Sequence, residues 1–530
     1  MKLFFDFSID FSEFWWYIIF GEIWVIFCFS PINKLLLRKE RFAETANREF
    51  GLDKYTKPTF CGLPTAAELR ATLANGESSD ARAQINAIFD ENTFVETGAF
   101  TKRNFSDFVN TEKSSELEGV ITGYGAIDGK LTFAFVEDAS RMGGAMDERH
   151  AKKIIDLYKL ATSNGAPIIG IFNSNGADIF QGTGALAAYG RIMSAVNKAS
   201  GVIPQIAYVA GKCIGTSAAI VSMFDIVVKD EAASLYVSSP VLTGVEGAQD
   251  AIASFTAPAD QCAAYVRTIL NFLPANASVG IQSSDTSTDN LNRMLGNLDF
   301  AGDALSAISV IADNGVFLEL SAGYASVAST AFTTIGGVKC GVVATSFAKD
   351  EGRITADAAR KIAKFVNLCD SFSLPVVTLV DSYGLAIDGE NETRFAPELA
   401  KLAVAYASAS CPKVTVISGH AVGAAFVLLG SKALGADLVY ATDASEIGAL
   451  VAESRVAFAW DKYITEETTR ESLVEDWRTS VSSPVNAASS GEIDDIISVN
   501  EMRARICSAL LMLAAKGDTS LIARRKVLPL

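Results

Sequence analysis

Four glycine-bracketed turns are where this chain has the means to do chemistry. One pair reads Asn173-Ser-Asn-Gly-Ala177 and Asp381-Ser-Tyr-Gly-Leu385. The other reads Gly211-Lys-Cys-Ile-Gly-Thr-Ser217 and Gly419-His-Ala-Val-Gly-Ala-Ala425. Each follows a short apolar run with the look of a buried strand, and ligands of open parallel sheets sit outside the carboxyl ends of strands. Glycine there lets backbone N–H groups approach a ligand, and a following helix adds the positive end of its dipole. Two such amides aimed at one point make an oxyanion hole, suited to a thioester or ureido oxygen that gains charge during reaction. The same glycines would equally serve a tight strand-to-helix turn, and the sequence leaves both readings open.

Side chains for proton transfer are harder to find. Asp178, Asp381, Asp437 and Glu446 are available carboxylates, each read first as a cap, turn or surface residue. With only His150 and His420 present, a catalytic triad or a histidine-built metal site has little support. A site without an evident acid or base points to chemistry in which the substrate supplies its own base. Eight cysteines are scattered without metal-ligand spacing and read as reduced core residues of a cytoplasmic protein.

The elements that must hold these turns come in two copies. A shift of 208 residues lays Ile127 and Gly129 on Ile335 and Gly337, and Ala151, Lys153 and Ile154 on Ala359, Lys361 and Ile362. The same shift lays Pro167, Ser174 and Gly176 on Pro375, Ser382 and Gly384, and Pro204, Gly211 and Gly215 on Pro412, Gly419 and Gly423; a four-residue slip then brings Asp225 onto Asp437. Each copy reads as a strand, an amphipathic helix (147–163; 354–371), a wholly apolar strand opened by Pro167 or Pro375, a helix and a third strand. Repeated β-α-β units predict a parallel sheet with right-handed crossovers. The polar stretch 274–291 is read as the connection between halves.

At 530 residues, with 49% apolar and 20% charged residues, the chain has the composition of a globular protein with more than one core. Its net charge of −16 gives no footprint for nucleic acid. Residues 14–29 form an apolar run interrupted by Glu22 and followed by Lys34, Arg38, Lys39 and Arg41. That run is short for a spanning helix, and acidic residues precede it where a secretory signal would be basic. Three readings stand: a membrane anchor, an apolar arm buried in an oligomer, or translated upstream sequence.

The order of motifs resembles the carboxyltransferase family of biotin-dependent acyl-CoA carboxylases and decarboxylases. It is carried by Gly143-Gly144 with His150-Ala-Lys-Lys-Ile154, Ala188-Tyr-Gly-Arg-Ile192, Ser200-Gly-Val-Ile-Pro-Gln-Ile206 and Asp313-Asn-Gly-Val-Phe-Leu-Glu319. Near the end it continues in Gly491-Glu-Ile-Asp-Asp-Ile-Ile497, Arg503 and Pro529-Leu530. The resemblance runs from about Ala81 to the end and implies two tandem crotonase-like β-β-α spiral domains in the α/β class. The expected division is an extension at 1–60, an acyl-CoA domain at 61–285 and a biotin domain at 286–530.

It also implies that carboxybiotin, borne on a separate biotin carboxyl carrier protein, exchanges its carboxyl group with the α-carbon of a short acyl-CoA. Gly215 and Thr216, with Gly176 and Ala177, would face the thioester oxygen; Gly423 and Ala424, with Gly384 and Gly419, would serve the biotin side. Implied partners are further copies of this chain, as a dimer or trimer of dimers, and a membrane decarboxylase subunit. The expected location is the cytoplasm, with membrane association through the amino-terminal run. Departures fall in the first half. Asn173, Asn175 and Asp178 stand where the family has Asp, Gly and Arg, and Thr216 where it has Gly. Thr216 is expected to keep its N–H while giving up space and access to positive φ; Asp178 reverses a charge. These departures motivate one alternative, a non-catalytic paralogue acting in assembly. Another is a crotonase-type hydratase or isomerase.

Overall fold

The computed structural model describes residues 16–20, 23–27, 65, 67–68, 79–103, 117–244, 249–283, 289–295, 302–465 and 467–516. The chain divides into two units, Met1–Thr72 and Leu73–Leu530. In the first, β1 (Trp16–Phe20) pairs antiparallel with β2 (Ile23–Phe27), Trp16 opposite Phe27. The two described parts of the apolar run therefore lie antiparallel to each other. Among the described residues no helix is long and apolar enough to cross a membrane. The basic residues from Lys34 to Arg41, most of the 1–60 extension and Pro529-Leu530 lie outside the described residues.

The second unit contains the duplication. In the amino-terminal half, α1 (Asp80–Ile88) and β3 (Val95–Thr97) lead to β4 (Val120–Ile127), β5 (Lys130–Glu137), α2 (Glu148–Asn164), β6 (Ile168–Ser174) and α3 (Thr183–Ala199). Then come β7 (Gln205–Ile214), α4 (Thr216–Ser222), β8 (Ile226–Asp230), β9 (Ser234–Tyr236), β10 (Phe255–Ala257) and α5 (Ala259–Phe272). The carboxyl-terminal half repeats this with α6 (Ala304–Ile311), β11 (Phe317–Leu320), β12 (Ala328–Ile335), β13 (Val338–Thr345), α7 (Ala356–Ser371), β14 (Val376–Ser382) and α8 (Gly389–Ser408). It ends with β15 (Lys413–Val422), α9 (Ala424–Leu428), β16 (Leu438–Thr442), β17 (Glu446–Gly448), β18 (Asp495–Ile497) and α10 (Met502–Leu513).

The spacing read from the sequence is the spacing of the elements. From Val120 to Ala328, Lys130 to Val338, Ile168 to Val376 and Gln205 to Lys413 the offset is 208 residues throughout. It becomes 212 from Ile226 to Leu438 and from Ser234 to Glu446, the predicted four-residue slip.

Each half builds an eight-stranded sheet, ordered β10-β8-β7-β6-β5-β4-β3 with β9 on β7, and β11-β12-β13-β14-β15-β16-β18 with β17 on β15. The expectation of a parallel sheet needs correction, because both sheets are mixed. β4 and β5 form an antiparallel hairpin with Ile127 opposite Lys130, as do β12 and β13 with Ile335 opposite Val338. The two-residue turns are Asp128-Gly129 and Gly336-Gly337, all at positive φ, the geometry that suits the twist of a tight hairpin. The landmark glycines at 129 and 337 thus mark hairpins. The parallel part, β5-β6-β7-β8 and β13-β14-β15-β16, is the predicted β-α-β portion.

Local chemistry starts and stops the helices. Asp147 accepts the His150 N–H at 2.7 Å to cap α2, which ends on Gly165 in the left-handed region. Thr355 caps α7 through the Ala358 N–H, so the helix predicted from 354 begins at Ala356. The two halves share buried apolar packing: Cys262, Val266 and Ile269 of α5 belong to one core with Phe332, Ile362 and Phe365. Phe272 stacks on Phe332 with ring centres 5.9 Å apart. Cys213, Cys262, Cys340, Cys369, Cys411 and Cys507 are buried thiols; Cys28 and Cys61 lie outside the described residues.

Candidate functional site

Adjacent parallel strands set the turns of each half side by side. Ser174 at the end of β6 pairs with Cys213 of β7, and Ser382 of β14 pairs with Ala421 of β15. In both halves the register jumps just before that pair, a bulge of the kind that redirects backbone groups at a strand end. Asn173 and Asp381 occupy the jump. Asn173 Oδ1 accepts the Lys212 N–H at 3.2 Å, and Asp381 Oδ1 accepts the His420 N–H at 2.9 Å. A Cβ on Gly211 would lie 2.3 Å from Asn173 Oδ1, and one on Gly419 2.4 Å from Asp381 Oδ1. Gly211 and Gly419 therefore make room for the neighbouring strand's side chain. Gly419, expected on the biotin side, has that packing reason whatever the ligand.

Gly215 (φ 64°, ψ −132°) and Gly423 (φ 57°, ψ −127°) stand directly before α4 and α9. This backbone region is open to glycine and strained for other residues. Their own N–H groups are not free to meet a ligand: Gly215 donates to the Tyr236 carbonyl at 3.0 Å and Gly423 to the Gly448 carbonyl at 2.8 Å. Gly176 and Gly384 likewise donate to Ser174 Oγ and Ser382 Oγ, at 3.1 and 3.2 Å. The uncommitted amides are those of the next residues. Ala177 and Thr216 in one half, and Leu385 and Ala424 in the other, have no acceptor for their N–H among the described residues. Thr216 and Ala424 open their helices, whose first N–H groups lack an intrahelical partner. The sequence pattern points to the glycines together with Ala177, Thr216 and Ala424, and carries no signal for Leu385. The glycines shape the turns, and the amides left unspent are those of the residues that follow them.

The departures in the first half also look different in three dimensions. Thr216 is not among the residues at positive φ; Gly215 takes that conformation, and the Thr216 side chain is exposed. Asp178 is buried, forms an ion pair with Arg103 at 2.8 Å and accepts the Phe180 N–H at 3.0 Å. Its charge is neutralised within the fold. Asp437 accepts the Lys413 N–H and the buried Glu446 the Ala452 N–H, bonds within the fold itself.

His420 was passed over as an acid–base residue, and the structure gives it a defined partner. Its Nδ1 lies 2.7 Å from Asp381 Oδ1, within hydrogen-bond distance. The ring stacks on Phe347 at 4.3 Å and meets Tyr383 edge-on at 4.5 Å. Nε2 has no partner among the described residues. His420 sits on β15, the strand that leads into Gly423, and Asp381 on the neighbouring β14, whereas the corresponding pair in the first half is Asn173 and Lys212.

Behind the first-half turns, Glu137 Oε2 accepts the Asn173 N–H at 2.9 Å, with His150 3.9 Å from its other oxygen. Burial pushes the Glu137 carboxyl up to about 7, against the opposing pull of His150. A folded-state value above the unfolded one means that stability is greatest below the unfolded value and falls as pH rises towards 7. Glu137→Gln keeps the acceptor for Asn173 and removes this loss. The variant is expected to gain on the order of 1–3 kcal/mol over the native chain above neutral pH and little at pH about 5. Urea denaturation at the two pH values checks it, and a pH-independent difference would refute it.

The sequence matches the carboxyl transferase domain family over residues 74–250 and 247–528. It is 34% identical over 465 residues to methylmalonyl-CoA decarboxylase subunit alpha of Veillonella parvula, covering 83% of this chain and 90% of the relative. It is 32% identical to the methylmalonyl-CoA carboxyltransferase 12S subunit of Propionibacterium freudenreichii subsp. shermanii, covering 83% and 89%. Among solved structures, a transcarboxylase 12S hexamer with methylmalonyl-CoA and methylmalonic acid bound matches with TM-score 0.77 and 30% identity, covering 86% of this chain and 93% of that one. A single-chain, multi-domain long-chain acyl-CoA carboxylase shares the fold at TM-score 0.69 and 22% identity, covering 92% of this chain and 50% of that one.

Proposed function

The chain belongs to the carboxyl transferase domain family, and from that premise we propose that it is the enzyme subunit moving a carboxyl group between carboxybiotin and a short acyl-CoA. Its fold is two tandem crotonase-like domains, and we assign residues 61–285 to acyl-CoA and 286–530 to biotin. The observation that carries this reading is the repeated pair of uncommitted amides, Ala177 with Thr216 and Leu385 with Ala424. Two amides from neighbouring strand ends suit one oxygen that becomes negative, and each half offers one such pair. A carried biotin supplies the carboxyl group and, once decarboxylated, a basic ureido group. The chain's own part is to orient the thioester and ureido oxygens and stabilise their charge. The substitution at position 216 leaves an amide in place and the charge of Asp178 is paired with Arg103, which favours a working acyl-CoA half over a purely structural paralogue.

Decarboxylation of methylmalonyl-CoA or malonyl-CoA with free biotin tests the activity, and turnover is the expected result. No turnover, together with no acyl-CoA binding by calorimetry, would sink it. We further propose a biotin carboxyl carrier protein and other copies of this chain as partners, as a dimer or trimer of dimers. The relatives include a 12S hexamer. Ile179 and Ile387, at matching places beside the two turn pairs, are 80% and 94% exposed, and large apolar side chains beside a site favour cover by another subunit. A cytoplasmic location, with membrane association through residues 14–29 and a membrane decarboxylase subunit, completes the proposal. Deleting residues 1–45 and fractionating cells tests the tether.

A further inference from the structure

A cavity of about 240 Å³ lies between the two halves. Ser222, at the end of α4 opposite Thr216 and about 10 Å along the helix from the amide turn, lines it. One wall carries Asp225. The other carries Arg360, Lys361 and Lys364 of α7, with Ser321 and Tyr324 beside them.

Asp225 is 2% exposed. Its Oδ2 accepts the Gln205 N–H at 2.9 Å, while Oδ1 has no hydrogen-bond partner among the described residues. A buried carboxylate oxygen left in this state is unfavourable unless something donates to it. Arg360 is engaged by Glu398 at 2.9 Å, and Lys361 Nζ donates to the carbonyls of Ser321 and Tyr324 at 2.8 and 2.9 Å. Lys364 acts on Asp225 through its charge without forming an ion pair or hydrogen bond with it among the described residues. Burial pushes the Asp225 carboxyl up to about 7 and the Lys364 ammonium down, so neither fully compensates the other.

The duplication supplies a control within the same molecule. Asp437 is the counterpart of Asp225 and accepts the Lys413 N–H at 2.8 Å, just as Asp225 takes that of Gln205. On Asp437 a lysine closes directly: Lys516 Nζ lies 2.8 Å from Oδ2. On Asp225 the lysine stands back and a cavity intervenes.

We propose that this inter-half cavity binds a small oxyanion that carries one proton, hydrogen phosphate or hydrogen carbonate. Its O–H donates to Asp225 Oδ1, and its charged oxygens accept from Lys364 and Lys361. A wall that offers one acceptor and several cations prefers such an ion to a proton-free one, because two facing lone pairs repel. The site is separate from the amide turns, so it does not rest on the assignment of the transferred group.

Titration calorimetry of the full chain at neutral pH with sodium phosphate, bicarbonate or sulfate tests this. Phosphate or bicarbonate is expected to bind at least about tenfold more tightly than sulfate, and the tighter of the two identifies the source. Lys364→Met and Lys364→Gln should each weaken that binding by about tenfold or more. Asp225→Asn, which keeps an acceptor for Gln205 and turns an N–H towards the cavity, should erase or reverse the preference over sulfate. Circular dichroism of each variant verifies the fold. No binding by phosphate or bicarbonate, equal binding of sulfate by the native chain, or unchanged affinity in both folded Lys364 variants would overturn the proposal.

Discussion

Gly215→Ala and Gly423→Ala are each expected to lower carboxyl transfer by about 10²–10³-fold, the effect of losing one oxyanion donor. Neither glycine is needed for space, since a Cβ on Gly215 would meet nothing within 4 Å and one on Gly423 only the Ala449 carbonyl at 3.4 Å. They are needed for conformation. Holding alanine at φ near 60° with ψ near −130° costs on the order of 1–3 kcal/mol. The turn can escape that strain only by moving, which swings the Thr216 or Ala424 amide away from its position and releases the bond to Tyr236 or Gly448. Thr216→Gly is the informative contrast: its side chain is exposed and its backbone ordinary, so the rate should stay within about threefold. Rates are measured as decarboxylation with free biotin, and circular dichroism monitors folding. Folded glycine variants with rates near the native one would show that these turns do not bear on the reaction.

Arg503→Met should destabilise the chain by about 3–5 kcal/mol, the usual consequence of stripping one partner from a buried charge network. Arg503 is fully buried. It contacts Asp313 at 2.5 Å and Asp289 at 3.2 Å, and donates to the carbonyls of Asn290 and Leu291 at 2.6 and 3.3 Å. Asp313 in turn accepts the N–H groups of Gly336 and Gly337, at 2.8 and 2.9 Å. One guanidinium thereby joins α10, the segment 289–295 and the hairpin that starts the second half's sheet. Methionine fills similar volume, leaving lost charge as the main change. Arg503→Met with Asp313→Asn should recover part of the loss, because the uncompensated carboxylate is then gone. Urea denaturation reads both variants as shifts in midpoint at constant slope; a single-variant loss below about 1 kcal/mol would refute the role.

Much of this molecule follows from patterns local to the chain. The 208-residue offset, the apolar strands opened by Pro167 and Pro375, the capped helices and the four turns are all visible in residue order. Each depends on periodicity or on a turn residue acting within a few positions. The antiparallel hairpin at the start of each half was legible only as landmarks, Gly129 and Gly337, whose purpose appears once β4 lies beside β5.

What residue order alone could not decide is which hydrogen-bonding groups remain unspent after folding. The pattern names Gly215 with Thr216 and Gly423 with Ala424, but strands β9 and β17, arriving some twenty residues later in the chain, take the two glycine N–H groups through Tyr236 and Gly448. Asp178 reads in sequence as a reversal of charge, and only the fold brings the distant Arg103 onto it. His420 and Asp381 meet because parallel strands place residues 39 apart in adjacent register, and Asp225 keeps an open oxygen because Lys364 stands across a gap that Lys516 closes on Asp437. Local sequence determined the repeat, the turns and the family. Tertiary structure decided which amides, carboxylates and lysines are satisfied, because each has few bonds to give and its competitors come from far along the chain.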